Sequence, residues 1–139
     1  MIGISAFGGY VPRMRMPREE IAKANAWLNP GLRGQAKGER SLAQWDEDAI
    51  TMAVEAARDC LFNRKGEPVD AVYLASTTLP FADRLNAGIV AGAIGLGERL
   101  AALDVTSSQR AGLSALAAAV DATKSGRHAN VLVAAGARR

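Results

Sequence analysis

Ala102-Leu103-Asp104-Val105-Thr106-Ser107-Ser108-Gln109-Arg110-Ala111-Gly112-Leu113-Ser114-Ala115-Leu116 is the stretch on which the fold turns. A short apolar run ends in a polar turn, and a small-residue helix starts at once. That order places one side chain at a helix N-terminus, where backbone N–H groups and the helix dipole favour negative charge. Such a position seats a nucleophile or an oxyanion. No Cys lies in the stretch, and its serines have no evident base.

The same rhythm extends in both directions. Ala101–Val105 reads as a strand, Arg110–Lys124 as a helix stopped by Ser125-Gly126, and Asn130–Ala135 as a last strand. Upstream, Val69–Ser76 reads as a buried strand, Thr77–Asp83 as a loop, and 84–96 as a helix closed by Gly95 and Gly97. Asp46 opens a helix as N-cap or first-turn acid. Ile50, Val54, Ala57 and Leu61 give it one apolar face, and Asn63-Arg64-Lys65-Gly66 ends it. Residues 31–45 read as a polar loop. Pro17 with Glu19 and Glu20 starts an earlier helix that runs to about Trp27 and breaks at Asn29-Pro30-Gly31. Residues 2–7 read as a first strand ended by Gly8-Gly9. Tyr10-Val11-Pro12 extends it, with Pro12 at an edge or strand end.

Strands alternating with helices predict an α/β fold: a mostly parallel mixed sheet with helices on both faces. Functional loops then gather at the C-terminal strand ends, at Thr77–Asp83, Thr106–Gln109 and Gly136–Arg139. The helix from Arg110 to Lys124 is small on all sides, carrying Ala111, Gly112, Ala115, Ala117, Ala118, Ala119 and Ala122. That predicts burial between layers, with its polar N-terminus facing a cavity.

The chain has 139 residues, 49% of them hydrophobic, enough for one domain with a real core. A net charge of +3 suits an anionic ligand without demanding nucleic acid. Exposed aromatics and a basic stripe are missing from the pattern, so nucleic-acid binding is not expected. The single cysteine, Cys60, forbids an internal disulfide and points to a reducing, cytoplasmic compartment. It reads as a structural thiol. One Cys and one His give no metal-ligand spacing. The N-terminus has no signal-peptide pattern, and no apolar run reaches membrane-spanning length. His128, the only histidine, precedes the last strand and so lies at the sheet end opposite Ser107 and Ser108. Capping, not nucleophilic catalysis, is the role expected of those serines. Asp83 and Arg84, on the loop after the second strand, either line the cavity or begin a helix, the second being the favoured reading.

Five segments together resemble the N-terminal half of the thiolase superfamily, closest to 3-hydroxy-3-methylglutaryl-CoA synthase and its bacterial and archaeal relatives. They are Ala6–Arg13, Asp46–Ala57, Val72–Thr77, Asp104–Leu116 and Asn130–Ala135. The resemblance implies that residues 1–139 form most of the first of two similar halves. The last strand of that half and all of the second half would then come from further residues or another chain.

In the synthases a Cys nucleophile stands where this chain has Gln109, and an aromatic residue is usual where it has Arg110. The acid/base Glu corresponds to Thr77. A carboxamide cannot form an acyl-enzyme, and a hydroxyl titrates too high to replace a carboxylate. Some ketosynthases with Gln for Cys are decarboxylases that hold the thioester and stabilise an enolate. The same is open to Gln109. One bacterial branch carries Ser-Leu-Arg-Ala-Gly-Thr here, similar to Ser108–Leu113, and often works with a zinc-ribbon and OB-fold partner.

The resemblance thus implies acyl-CoA as substrate or ligand, with no tightly bound cofactor. Arg110 and Ser108 would contact the acyl group. Arg33, Lys37 and Arg40 would meet the CoA phosphates, in preference to Arg13, Arg15 and Arg18. A homo- or hetero-oligomer is expected, formed through the strand at Ala101–Val105. Two readings stand side by side: an acyl-CoA C–C bond forming or cleaving component, and a non-catalytic subunit of a thiolase-type complex.

Overall fold

The computed structural model describes residues 2–62, 64, 68–97 and 99–138. These divide into two compact units, one of residues 2–10 with 47–138 and one of residues 11–46. Within the expected helix end at Asn63-Arg64-Lys65-Gly66, only Arg64 lies among the described residues.

The larger unit holds α2 (Ala49–Phe62), β3 (Ala71–Ala75), α3 (Asn86–Ala93), β4 (Ala101–Val105), α4 (Ala111–Lys124) and β5 (Val131–Ala135). The smaller unit supplies β1 (Met14–Pro17), α1 (Arg18–Asn25), a 3-10 helix (Pro30–Gln35) and β2 (Glu39–Leu42). In the larger unit the strands form a parallel sheet ordered β4-β3-β5. Ala75 is level with Val105 on one side and with Ala135 on the other. All three strands therefore end at one height.

The central strand is buried along its whole length, as expected of a strand covered on both faces. Val72 and Leu74 face Ile50 and Val54 of α2 and Val90 of α3, joined by Leu132 and Ala134 of β5. Ala71, Tyr73 and Ala75 point the other way, against Ala111, Ala115 and Ala119 of α4. Period-two alternation on β3 thus feeds two different cores. The α/β class, the parallel pairing and the helices on both faces are as the sequence led us to expect.

Helix ends follow local chemistry. At the head of α2, Asp48 Oδ1 accepts the N–H groups of Ile50 and Thr51, and Thr51 Oγ1 accepts that of Asp48. This reciprocal pair is a capping box, and it moves the cap from the expected Asp46 to Asp48. Gly95 and Gly126 take φ of 75° and 74° after α3 and α4. Their left-handed turns let Leu96 and Arg127 donate back to Ala91 and Ala122.

Two expectations are corrected. Residues 2–7 form no strand, because a strand needs a hydrogen-bonding neighbour and none among the described residues pairs with them. The segment is held instead by Gly9 N–H on Asp59 and by the Tyr10 hydroxyl on Glu47. Gly8 packs so closely on α2 that an added Cβ would collide with the backbone at Ala56 and Cys60.

The second correction is in residues 31–45. They hold a 3-10 helix capped by Asn29, and then β2, which pairs antiparallel with β1. The ribbon was hidden in the sequence because its four-residue strands are largely solvated.

The sheet covers one face of α4, through Ala111, Ala115, Ala119 and Ala122, while Leu113 is 70% exposed and Leu116 is also on the surface.

Candidate functional site

Because the strands finish level, three loops leave the sheet together: Ser76–Leu85 after β3, Thr106–Arg110 after β4, and Gly136–Arg138 after β5. This is the sheet end at which open α/β proteins bind ligands. Hydrogen bonds tie the three together. Ser76 N–H donates to the Val105 carbonyl, and Gly136 N–H to that of Ala75, each at 3.0 Å. Ser76 and Thr78 share a hydroxyl–hydroxyl bond of 3.2 Å, and Arg138 N–H donates to Thr78 Oγ1 at 3.0 Å.

Within the turn after β4, Ser107 adopts φ 67°, the left-handed region that side chains other than Gly, Asn and Asp seldom enter. Ser108 follows, two residues before the Arg110 N-cap of α4. Ser108 Oγ accepts the N–H of Arg110 at 3.1 Å, and its carbonyl accepts that of Ala111 at 3.0 Å. The hydroxyl thus closes the turn that precedes α4 and does not cap the helix itself, whose N-cap is Arg110 and carries no side-chain cap. Gln109 and Arg110 follow, both exposed, just before the first turn of α4. Thr77 is exposed at the matching level beyond β3.

The chain thus brings Thr77, Ser108, Gln109 and Arg110 to one sheet end. Arg33, Lys37 and Arg40 are exposed on the smaller unit. Asp83 and Arg84 stay in the loop, with Arg84 over the Phe81 ring at 5.7 Å, and the helix begins at Asn86.

His128 lies at the other end of the sheet, in an open surface depression with Asp70, Arg99 and Arg127. A five-residue strand spans roughly 16 Å, which separates His128 from Ser107 and Ser108 and removes any Ser–His pair. Nearby, the N–H groups of Asn130 and Ala129 hold the Asp70 carboxyl below its ordinary range. Burial pushes the Cys60 thiol up, opposite to the shift an activated nucleophile needs. Among the described residues no group of His, Cys, Asp and Glu could hold a metal ion, and no helix is long and apolar enough to cross a membrane.

Two further residues shape this end and had no part in the sequence reading. Asn86, 1% exposed, donates from Nδ2 to the Phe81 and Arg84 carbonyls at 2.9 and 3.2 Å, and its Oδ1 accepts the Phe81 N–H. Asp104 accepts from Asn86 N–H and Nδ2 at 2.8 Å each and from Ala87 N–H at 2.7 Å. Their signals were present: a carboxylate inside an apolar strand, and an amide opening an apolar helix.

The hydroxymethylglutaryl-CoA synthase of Methanocella arvoryzae is 39% identical over 132 residues, which cover 90% of this chain and 37% of the relative. That of Pyrobaculum aerophilum is 35% identical over 131 residues, covering 91% and 37%. The chain is a hydroxymethylglutaryl-CoA synthase-like sequence of the thiolase superfamily. It spans little more than a third of the length of these relatives. Among solved structures, the beta-ketoacyl-(acyl carrier protein) synthase III of Thermus thermophilus superposes with a TM-score of 0.77 at 28% identity, covering 94% of this chain and 41% of that one. No family model matches.

Proposed function

We propose that this chain is the N-terminal half, residues 1–139, of a thiolase-like domain in an acyl-CoA C–C bond forming or cleaving system of the cytoplasm. The observation that carries the reading is the 39% identity to a hydroxymethylglutaryl-CoA synthase over nine-tenths of the chain. The convergence of three loops at one sheet end supports it.

Gln109 stands at the nucleophile position of the resemblance and Thr77 at the acid/base position. A carboxamide there donates N–H bonds to a thioester or enolate oxygen, a task of charge stabilisation without covalent chemistry. Arg110 pairs with an acidic acyl group through its fork of donors. Ser108 holds the turn and borders the acyl group, and Arg33, Lys37 and Arg40 meet the CoA phosphates. The proton donor and acceptor come from the segment that completes the fold, in this polypeptide or in a partner chain. The edge strand β4 is where an oligomer forms. A zinc-ribbon and OB-fold protein is a further partner.

A non-catalytic subunit is the second reading. Gln109 and Thr77 favour it, and so does the uncovered face of α4 at Leu113 and Leu116.

Calorimetric titration of the natively purified full-length protein with acetyl-CoA and with an acidic acyl-CoA separates the two. The acyl-CoA reading expects binding that weakens about tenfold, roughly 1.4 kcal/mol, in Gln109→Ala and Arg110→Ala. No binding by an intact assembly overturns it in favour of the subunit role.

A further inference from the structure

We propose that Asn86 and Asp104 act as a positioning pair that couples the Ser76–Leu85 loop to the Thr106–Arg110 turn. This rests on the reading of that sheet end as the acyl-CoA site. The loop is anchored at its start, its middle and its end. Its start is fixed by Ser76 N–H on the Val105 carbonyl. Its middle is fixed by the buried Asn86 amide, which closes the Phe81–Asn86 segment through Phe81 and Arg84. Its end is fixed by the Asp104 carboxylate, which takes two backbone N–H groups and one side-chain N–H at the head of α3.

The first and last anchors converge on two consecutive residues, Asp104 and Val105. These are the last two residues of β4, and the turn carrying Ser107, Gln109 and Arg110 follows directly. A carboxylate accepting three N–H groups has its geometry fixed from three directions. The loop and the turn therefore share one support and move together. Thr77 on the loop keeps its height relative to Gln109 on the turn because both are referred to the same end of β4.

A simple helix cap would act only on α3, and hydrogen exchange tells the two roles apart. In Asp104→Asn, the amide replacing the carboxylate turns an N–H₂ toward groups that themselves donate. Exchange in the full-length protein is expected to quicken about tenfold in residues 81–88 and also in residues 106–112, while α2 amides keep wild-type rates. The acetyl-CoA Kd is expected to rise about tenfold, with that for free CoA unchanged.

Faster exchange at 81–88 with unchanged exchange at 106–112 would reduce Asp104 to a cap and overturn the proposal. If Asp104→Asn does not fold, Asn86→Ser is the second variant and carries the same expectation. Should the wild-type protein bind no acyl-CoA, the functional reading falls, while the exchange pattern still decides whether the loop and turn are coupled.

Discussion

The two faces of the central sheet are built on different principles. On one, Val72 and Leu74 interdigitate with Ile50, Val54 and Val90, a branched and fully covered core. On the other, Ala71 and Ala75 meet a ladder of alanines at Ala111, Ala115 and Ala119, with Tyr73 as the one large residue. The branched face gains its stability from buried volume. The alanine face gains closeness through its small side chains, Ala111, Ala115 and Ala119 packing directly on Ala71 and Ala75. That closeness holds the head of α4 over the strand ends where the loops emerge. It also leaves the outer side of α4 apolar and uncovered. One face is a finished core, while the other carries the head of α4 at the candidate site and leaves an exposed apolar side.

The contrast can be broken by exchanging the demands on the two faces. Leu74→Ala opens a cavity in the branched core, and chemical denaturation should register a loss of about 2–5 kcal/mol. Ala115→Leu adds bulk where Ala115 is fully buried. It should cost about 1–3 kcal/mol and lower acyl-CoA affinity by lifting α4, whereas Leu74→Ala should lower stability with affinity retained. Equal effects on binding would erase the distinction between the faces.

Leu113→Gln sharpens the comparison. On so exposed a residue it should shift the stability of this chain by no more than about 0.5 kcal/mol. Size-exclusion chromatography should nevertheless show weaker association with whatever covers α4.

The smallest effect concerns Asp70, at the end of the sheet away from the loops. Its carboxyl is held below the ordinary 3.8 by the Asn130 and Ala129 N–H groups. A depressed value contributes stability above the ordinary value and loses it as pH falls through the folded one. Asp70→Asn should therefore melt below wild type at about pH 7, with the gap closing below about pH 4. A gap independent of pH would remove the charge from the explanation.

Where one periodic pattern was enough, the sequence could be read directly. The apolar run at Ala101–Val105 and the alanine-rich stretch after it gave β4 and α4 nearly to the residue, because a short sheet strand and a helix packed on the sheet both follow local patterning. The three loops of the candidate site followed from the α/β order alone.

What failed depended on distant partners. Residues 2–7 have strand composition but no pairing neighbour among the described residues, and β1 with β2 exists only as a pair. Asp46 and Asp48 are equal as local signals until Thr51, three residues beyond Asp48, completes the capping box. The support of the site was hidden for the same reason. Asn86 and Asp104 are 18 positions apart, and only the fold shows that one answers the other.

The level finish of the three strands sets a rule for insertions and deletions. Removing one residue within β4 would draw the following turn back by roughly 3.3 Å and send every later side chain of the strand to the opposite face. Asp104 would then point away from α3, and the alanine ladder would meet the wrong residues. Changes in length are tolerable only where the chain is not keeping count, in the loops that lead back to the far end of the sheet. The strands act as fixed spacers, and the connections between them are where this architecture can lengthen or shorten without disturbing the site.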